Sequence, residues 1–195
     1  RRETAARWCS LVTPVLKSAW TEQAFTGASA CLQVFGGHGY VREWGVEQHV
    51  RDARVAMIYE GTNEIQAIDL LVRKTLPDGA AALTGLLAEL ADDVGQSPRT
   101  RHAMQAFGDF VRDQVLPRIS ESDAPPDQPF WLADDFLRAL ALLLMAWAWD
   151  RMAAVPGADA TADAAFWRWV WPEFDMRMAM MNTTLSASEH QPAML

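Results

Sequence analysis

An all-α fold, an antiparallel helical bundle with a helical C-terminal extension, is predicted by three features of this sequence. Apolar residues recur at three- and four-residue spacing along most of the chain. Glycine and proline cluster between these runs. Alternating apolar and polar segments of the strand type are few. With 195 residues, half of them hydrophobic, the chain can bury one core or a core with an appended subdomain. Nine tryptophans and nine methionines fit bulky packing between helices.

The first helix is expected from Thr13 as N-cap and Pro14 in the first turn. Its apolar stripe runs through Leu16, Trp20, Ala24, Ala28 and Cys31, and the small residues Gly27 to Ala30 admit a close neighbour. Gly36 and Gly37 stop it in the loop "GGHGY". A second helix spans Val46 to about Tyr59, with Val46, Val50, Ala53 and Met57 inward and Glu47 and Arg51 paired outward. Gly61 ends that pattern. A third helix runs from about Asn63 to Leu76, with Ile65, Ile68, Leu71 and Val72 inward and Asp69 beside Arg73. Asn63 and Gln66 have capping-box spacing. "PDG" at 77–79 reads as a turn and a boundary. It divides a first unit, 1–76, from an extension, 80–195. Four helical stretches follow, at 80–94, 98–120, 130–153 and 163–187, separated by "GQSP", "SDAPPDQP" and "VPGADATA". In the last, Phe166, Val170, Phe174, Met178, Met181 and Leu185 share one face.

A net charge of −8 argues against gripping nucleic acid, whose phosphates require basic surface. The most apolar run, "ALALLLMAWAW" at 139–149, is bounded by Arg138 and Asp150 and is shorter than a membrane span. Cys9 and Cys31 lack metal-ligand spacing and sit among apolar residues, so two free buried thiols and a reducing, cytoplasmic setting are expected. His38 and His49 have no partners at metal spacing, and no metal site is expected. The tryptophans at 147, 149, 167, 169 and 171 read as packing, with one of them a candidate to line an acyl or coenzyme channel. The opening "RRETAARWCS" has no start methionine and enters a helical pattern at once. A portion of a longer protein is expected.

The carboxylate of chemical interest is Glu60, in "MIYEGTNEIQ". It falls at the end of one helix and the start of the next. One helix terminus disfavours its charge and the other favours it. A glutamate in such a turn is by default a solvated residue. Its neighbours Met57, Ile58 and Tyr59 are apolar or aromatic, which predicts partial burial, the setting that suits a general base.

"QVFGGHGY" at 33–40 and "VEQHVRDARVAMIYEGTNEIQ" at 46–66, in this order and separation, resemble the C-terminal helical domain of acyl-CoA dehydrogenases over about residues 5–76. The continuation "QAIDLLVRK", then "PDGA", is similar to the branch with an extra C-terminal helical domain, which includes 3-methylmercaptopropionyl-CoA dehydrogenases. The resemblance implies FAD as cofactor and α,β-dehydrogenation of an acyl-CoA thioester. By its motif Glu60 is the α-proton base and its backbone N–H a donor to the thioester oxygen, with Tyr59 and Gly61 on the substrate side. Gln33 and Gly37 correspond to contacts with the FAD of a neighbouring subunit, and Thr62, Asn63 and Glu64 to contacts within the same subunit. A homodimer or homotetramer and an electron-transfer flavoprotein partner are further implications. Many family members carry an arginine twelve residues after the glutamate; here Val72 stands there and Arg73 follows. The family's N-terminal helical and β-domains have no counterpart in these 195 residues, so this portion alone is expected to be inactive. That gap motivates a rival, a non-catalytic helical subunit completing a partner's flavin site. An acyl-CoA oxidase of the same superfamily is the other alternative.

Overall fold

The computed structural model describes residues 2–93 and 97–187, and among these every regular element is helical. Residues 94–96 and 188–195, parts of the predicted break and extension, lie outside the described residues. The helices are α1 (Arg2–Val34), α2 (Gly37–Tyr40), α3 (Val46–Ala56), α4 (Asn63–Ile68), α5 (Ala81–Asp93), α6 (Pro98–Phe110), α7 (Leu116–Ile119), α8 (Gln128–Ala153), α9 (Ala160–Ala165) and α10 (Pro172–Ala187). Wider π-type turns continue α4 through Asp69–Thr75, join α6 to α7 through Val111–Val115, and join α9 to the α10 side through Phe166–Val170. The all-α expectation is met.

α8 is the hub, packed on α1, α4, α6 and α10. Its pairing with α10 is antiparallel: Trp149 stacks on Phe166 near one end, and Arg177 donates to Asp135 at 2.8 Å near the other. The same direction holds for α1 and α3, where Lys17 meets Met57 and Arg54 covers the Phe25 ring. Leu11, Leu70, Leu71, Phe107, Phe136, Leu140 and Leu143 belong to one buried cluster. The core is therefore continuous across the turn at 77–79. That turn forms as read, with Leu76–Asp78 as a 3-10 turn closed by left-handed Gly79 (φ 62°). The stripe from Phe166 to Leu185 also faces inward, wholly buried except at Val170 and Met178. An ionic network backs the core: Arg177 binds Asp135 and Glu173, while Arg138 binds Asp134 and Glu22 of α1.

Four expectations about the first unit are corrected. Pro14 does not start a helix; it lies within α1. It has no N–H for the Ser10 carbonyl four residues back, and the Lys74 ammonium fills that vacancy at 2.9 Å. The buried stripe of α1 is Leu11, Pro14, Val15 and Ser18, whereas Trp20 is 61% exposed and Ala24 is also outside. Sequence periodicity finds both stripes, but only packing selects the one that meets α8. Cys9 and Cys31, expected to be buried, are both exposed. Both should react with a thiol reagent in the folded chain without denaturant, as a colorimetric thiol count would read. Finally, Ile65 is half exposed, and the buried face instead runs through Asn63, Ala67, Leu70 and Leu71.

Candidate active site

The Glu60 turn joins α3 to α4 and is built from two consecutive left-handed residues, Glu60 (φ 55°) and Gly61 (φ 83°). For glycine that conformation is free of steric cost; for glutamate it is strained and must be held by its surroundings. A Cβ at residue 61 would lie 3.2 Å from Gln66 Nε2 and 3.4 Å from Ile65 Cγ2, so the position suits glycine on two grounds.

Side-chain donors hold the turn. Gln66 Nε2 donates to the Glu60 carbonyl at 3.1 Å. Lys17 Nζ, from α1, donates to the Gly61 carbonyl at 2.6 Å, to Asn63 Oδ1 at 3.2 Å and to the Met57 carbonyl at 3.4 Å. Asn63 is buried; its Nδ2 donates to the Ser18 carbonyl and its Oδ1 also receives the Thr21 hydroxyl. Thr62, not Asn63, caps α4, accepting from the Ile65 N–H. The capping-box pairing of Asn63 with Gln66 is thus replaced: Asn63 faces α1, and Gln66 braces Glu60.

Glu60 itself is exposed, as are Ile58 and Tyr59, each 52% accessible. Partial burial of the carboxylate was expected, and within this chain it does not occur. Ile58 and Tyr59 lie past the end of α3, and neither covers the carboxylate. Among the described residues, no acceptor is bonded to the Glu60 N–H, so that donor remains open.

Glu64 has its pKa held below the ordinary carboxylate value, first by the Thr62 hydroxyl and then by its own backbone N–H. A lowered folded-state pKa contributes stability above the unfolded value near 4.5, and that contribution is lost as pH falls through the folded value. Thr62→Val should move the Glu64 titration upward toward that ordinary value, as side-chain NMR would follow.

The glycine loop sits at the far end of α1. Gly36 (φ 58°) ends the helix, and nothing lies within 4 Å of a Cβ placed on Gly37. Gly39 is the tight position, where a Cβ would meet the Leu32 carbonyl at 2.7 Å. Gln33, in the last turn of α1, and Gly37, which opens the short helix α2 where a loop was expected, are both exposed, while Thr62 caps α4 and Asn63 and Glu64 start it. His38 stands edge-on to Trp44, and no group of ligating side chains able to hold a metal occurs among the described residues. Val72 is half buried, and Arg73 points outward beside Asp69 at 3.7 Å. Exposed apolar side chains, Phe35, Tyr40, Trp44, Val55, Ile58, Tyr59 and Ile65, cluster in sequence around both motifs.

Two apolar cavities occur elsewhere. One of about 380 Å³ is lined by Trp149, Met152, Val155 and Pro156. A second of about 300 Å³ lies between α1 and α8, where Trp20 and Trp147 form its walls. Trp167 and Trp171 pack as expected, but Trp169 is 73% exposed. No described helix is long and apolar enough to cross a membrane.

Lys17, Ser18, Thr21 and Gln66 are the site residues that sequence reading missed. A signal for Lys17 exists: it is the only charged residue in "LVTPVLKSAW", inside a helix face that is otherwise apolar or small.

Comparison with known proteins gives a family match, "Acyl-CoA dehydrogenase, C-terminal domain", over residues 2–74. The 3-methylmercaptopropionyl-CoA dehydrogenase of Ruegeria pomeroyi is 39% identical over 123 residues, 63% of this chain and 20% of that protein. The broad-specificity linear acyl-CoA dehydrogenase FadE5 of Mycobacterium tuberculosis is 37% identical over 84 residues, 43% of this chain and 14% of the relative. A short-chain specific acyl-CoA dehydrogenase of Bos taurus mitochondria is 48% identical over 52 residues, 27% of this chain and 13% of the relative. These matches span a fifth or less of each relative's length.

Proposed function

We propose, from the match of residues 2–74 to the acyl-CoA dehydrogenase C-terminal domain, that the chain is the C-terminal portion of an FAD-dependent acyl-CoA dehydrogenase in which Glu60 removes the α-proton. The observation that carries this reading is the held, left-handed Glu60–Gly61 pair, whose Glu60 N–H and carboxylate both remain available. A thioester α-proton is weakly acidic, so a base works only beside a donor aimed at the oxygen on which charge develops. Glu60 supplies both from one residue: the carboxylate takes the proton, and the N–H hydrogen-bonds the thioester oxygen. Gly61 keeps the acyl chain's approach clear of a side chain.

The chain's residues suit FAD in part. At the start of α4 the Asn63 and Glu64 N–H groups precede the first intrahelical acceptor, a favourable end for anionic groups. The Asn63 side chain is engaged inside the fold, so its contact with a flavin would be through the backbone. Gly37 leaves open space for close backbone approach, and Gln33 sits beside it at the end of α1. When bound, FAD would accept the β-hydrogen as hydride. Gln33 and Gly37 would hold the FAD of a neighbouring subunit and Thr62, Asn63 and Glu64 that of their own, in a homodimer or homotetramer. Exposed apolar residues around both motifs support such completion, since they resemble surface awaiting cover.

We place the family bundle in residues 1–76 and an additional helical unit in 80–195. The match to the 3-methylmercaptopropionyl-CoA relative is 123 residues long and so must enter that unit, which supports the same branch. The exposure of Glu60 also gives weight to the rival reading, a helical subunit that completes a partner's flavin site. One experiment separates the two. The full-length chain containing these residues should purify with FAD, and an acyl-CoA added without oxygen should bleach the flavin's visible band. FAD uptake only after mixing with a different protein would favour the rival. Reoxidation by an electron-transfer flavoprotein, and not by oxygen, would set it apart from an oxidase.

A further inference from the structure

We infer that Lys17 is a positioning residue for Glu60: by binding the carbonyls on both sides of it, the ammonium fixes the turn that aims the carboxylate and N–H. This deepens the reading of Glu60 as base and rests on it. Lys17 is half buried on α1, 43 residues before Glu60 in the chain. Its three acceptors match its three donor protons: Gly61 O one residue after Glu60, Met57 O three residues before, and Asn63 Oδ1. Among the described residues no carboxylate pairs with it, and its three partners are all carbonyl oxygens. Met57 ends α3, where unsatisfied carbonyls attract a cation.

The geometry explains how a strained glutamate persists. Residues at φ 55° and 83° in succession are unfavourable for the first of them. Such a turn survives where the surrounding contacts over-determine it. Here the carbonyls of Met57, Glu60 and Gly61 each receive a side-chain donor, and two of the three donors are the same ammonium. Without it, Gly61 could relax toward other basins that glycine visits freely, swinging the Glu60 side chain with it. Misplacement of a reacting group by about 1 Å can cost roughly 100-fold in rate.

The test uses the full-length FAD-loaded chain and compares Lys17→Met, Lys17→Gln and Glu60→Gln, alone and combined. Lys17→Met, which keeps the aliphatic stem, should lower kcat by about 100-fold, with KM and FAD content changed less than roughly threefold. Lys17→Gln, with two donor protons, should fall about tenfold and serves if the methionine variant does not fold. Hydrogen exchange at residues 57–62 should accelerate in both variants. A merely structural lysine would lower thermal stability without separating kcat from KM. In the Glu60→Gln background the lysine substitution should add little, because both act on one step. Folded Lys17 variants with wild-type kcat, beside an inactive Glu60→Gln, would overturn this inference while leaving Glu60 as base. Normal turnover by Glu60→Gln would instead remove the reading beneath it.

Discussion

Glu60→Gln in the full-length chain should bind FAD as before, melt at an unchanged temperature and dehydrogenate an acyl-CoA about 10²–10⁴-fold more slowly. Stability is spared because residue 60 is exposed and its bracing bonds reach the backbone carbonyl, not the carboxylate. Glutamine keeps the N–H proposed to bind the thioester oxygen, so the loss isolates proton removal from oxygen stabilisation. In free energy the range corresponds to about 3–5.5 kcal/mol of transition-state stabilisation. Glu3→Gln is the control. Its carboxylate pairs with Arg7 on an exposed face of α1, and its removal should leave the chemical step intact. Rapid-mixing measurement of flavin reduction reads the step directly. A glutamine variant that reduces flavin at the normal rate would end the assignment.

The parts of this molecule that the sequence made legible are those determined by near neighbours. Helix spans from residue 80 onward, the 77–79 turn and the inward face from Phe166 to Leu185 follow from spacing and breakers a few residues apart. The Glu60–Gly61 pair was visible because the two residues are adjacent. What escaped depends on distant partners. Lys17 meets Gly61 across 44 residues, and Asn63 meets Ser18 across 45. Pro14 reads locally as a helix start, yet Lys74 supplies the missing donor from 64 residues from Ser10 and lets α1 continue. The α1 stripe was misassigned for a related reason: Leu16 to Cys31 and Leu11 to Ser18 both satisfy helical periodicity, and α8 and the π-turn after α4 decide between them. The apolar residues beside Glu60 predicted burial, but burial requires a covering surface, and none of the described residues provides one.

Phe136→Ala should produce the largest loss of stability, about 3–5 kcal/mol, and should loosen helices on both sides of the 77–79 turn. Phe136 is fully buried on α8, with its ring 5.3 Å from that of Phe107, which in turn lies 6.5 Å from Phe174. Removing it therefore leaves a cavity among α6, α8 and α10, where no neighbour can move in without breaking its own contacts. α8 also carries Leu140 and Leu143 in the same cluster as Leu11 and Leu70, and Arg138 holds Glu22 of α1. Strain at Phe136 thus reaches the first unit through one rigid helix. For a domain of this size the loss corresponds to a fall in melting temperature of roughly 6–20 °C. Hydrogen exchange resolved by peptide distinguishes one cooperative body from two. With a shared core, amides of α1 and α4 gain exchange alongside those of α8 and α10. Unchanged protection in α1 and α4 beside a loosened α8 would show that the turn separates independently stable units, and that the Glu60 turn does not depend on the helices after residue 79.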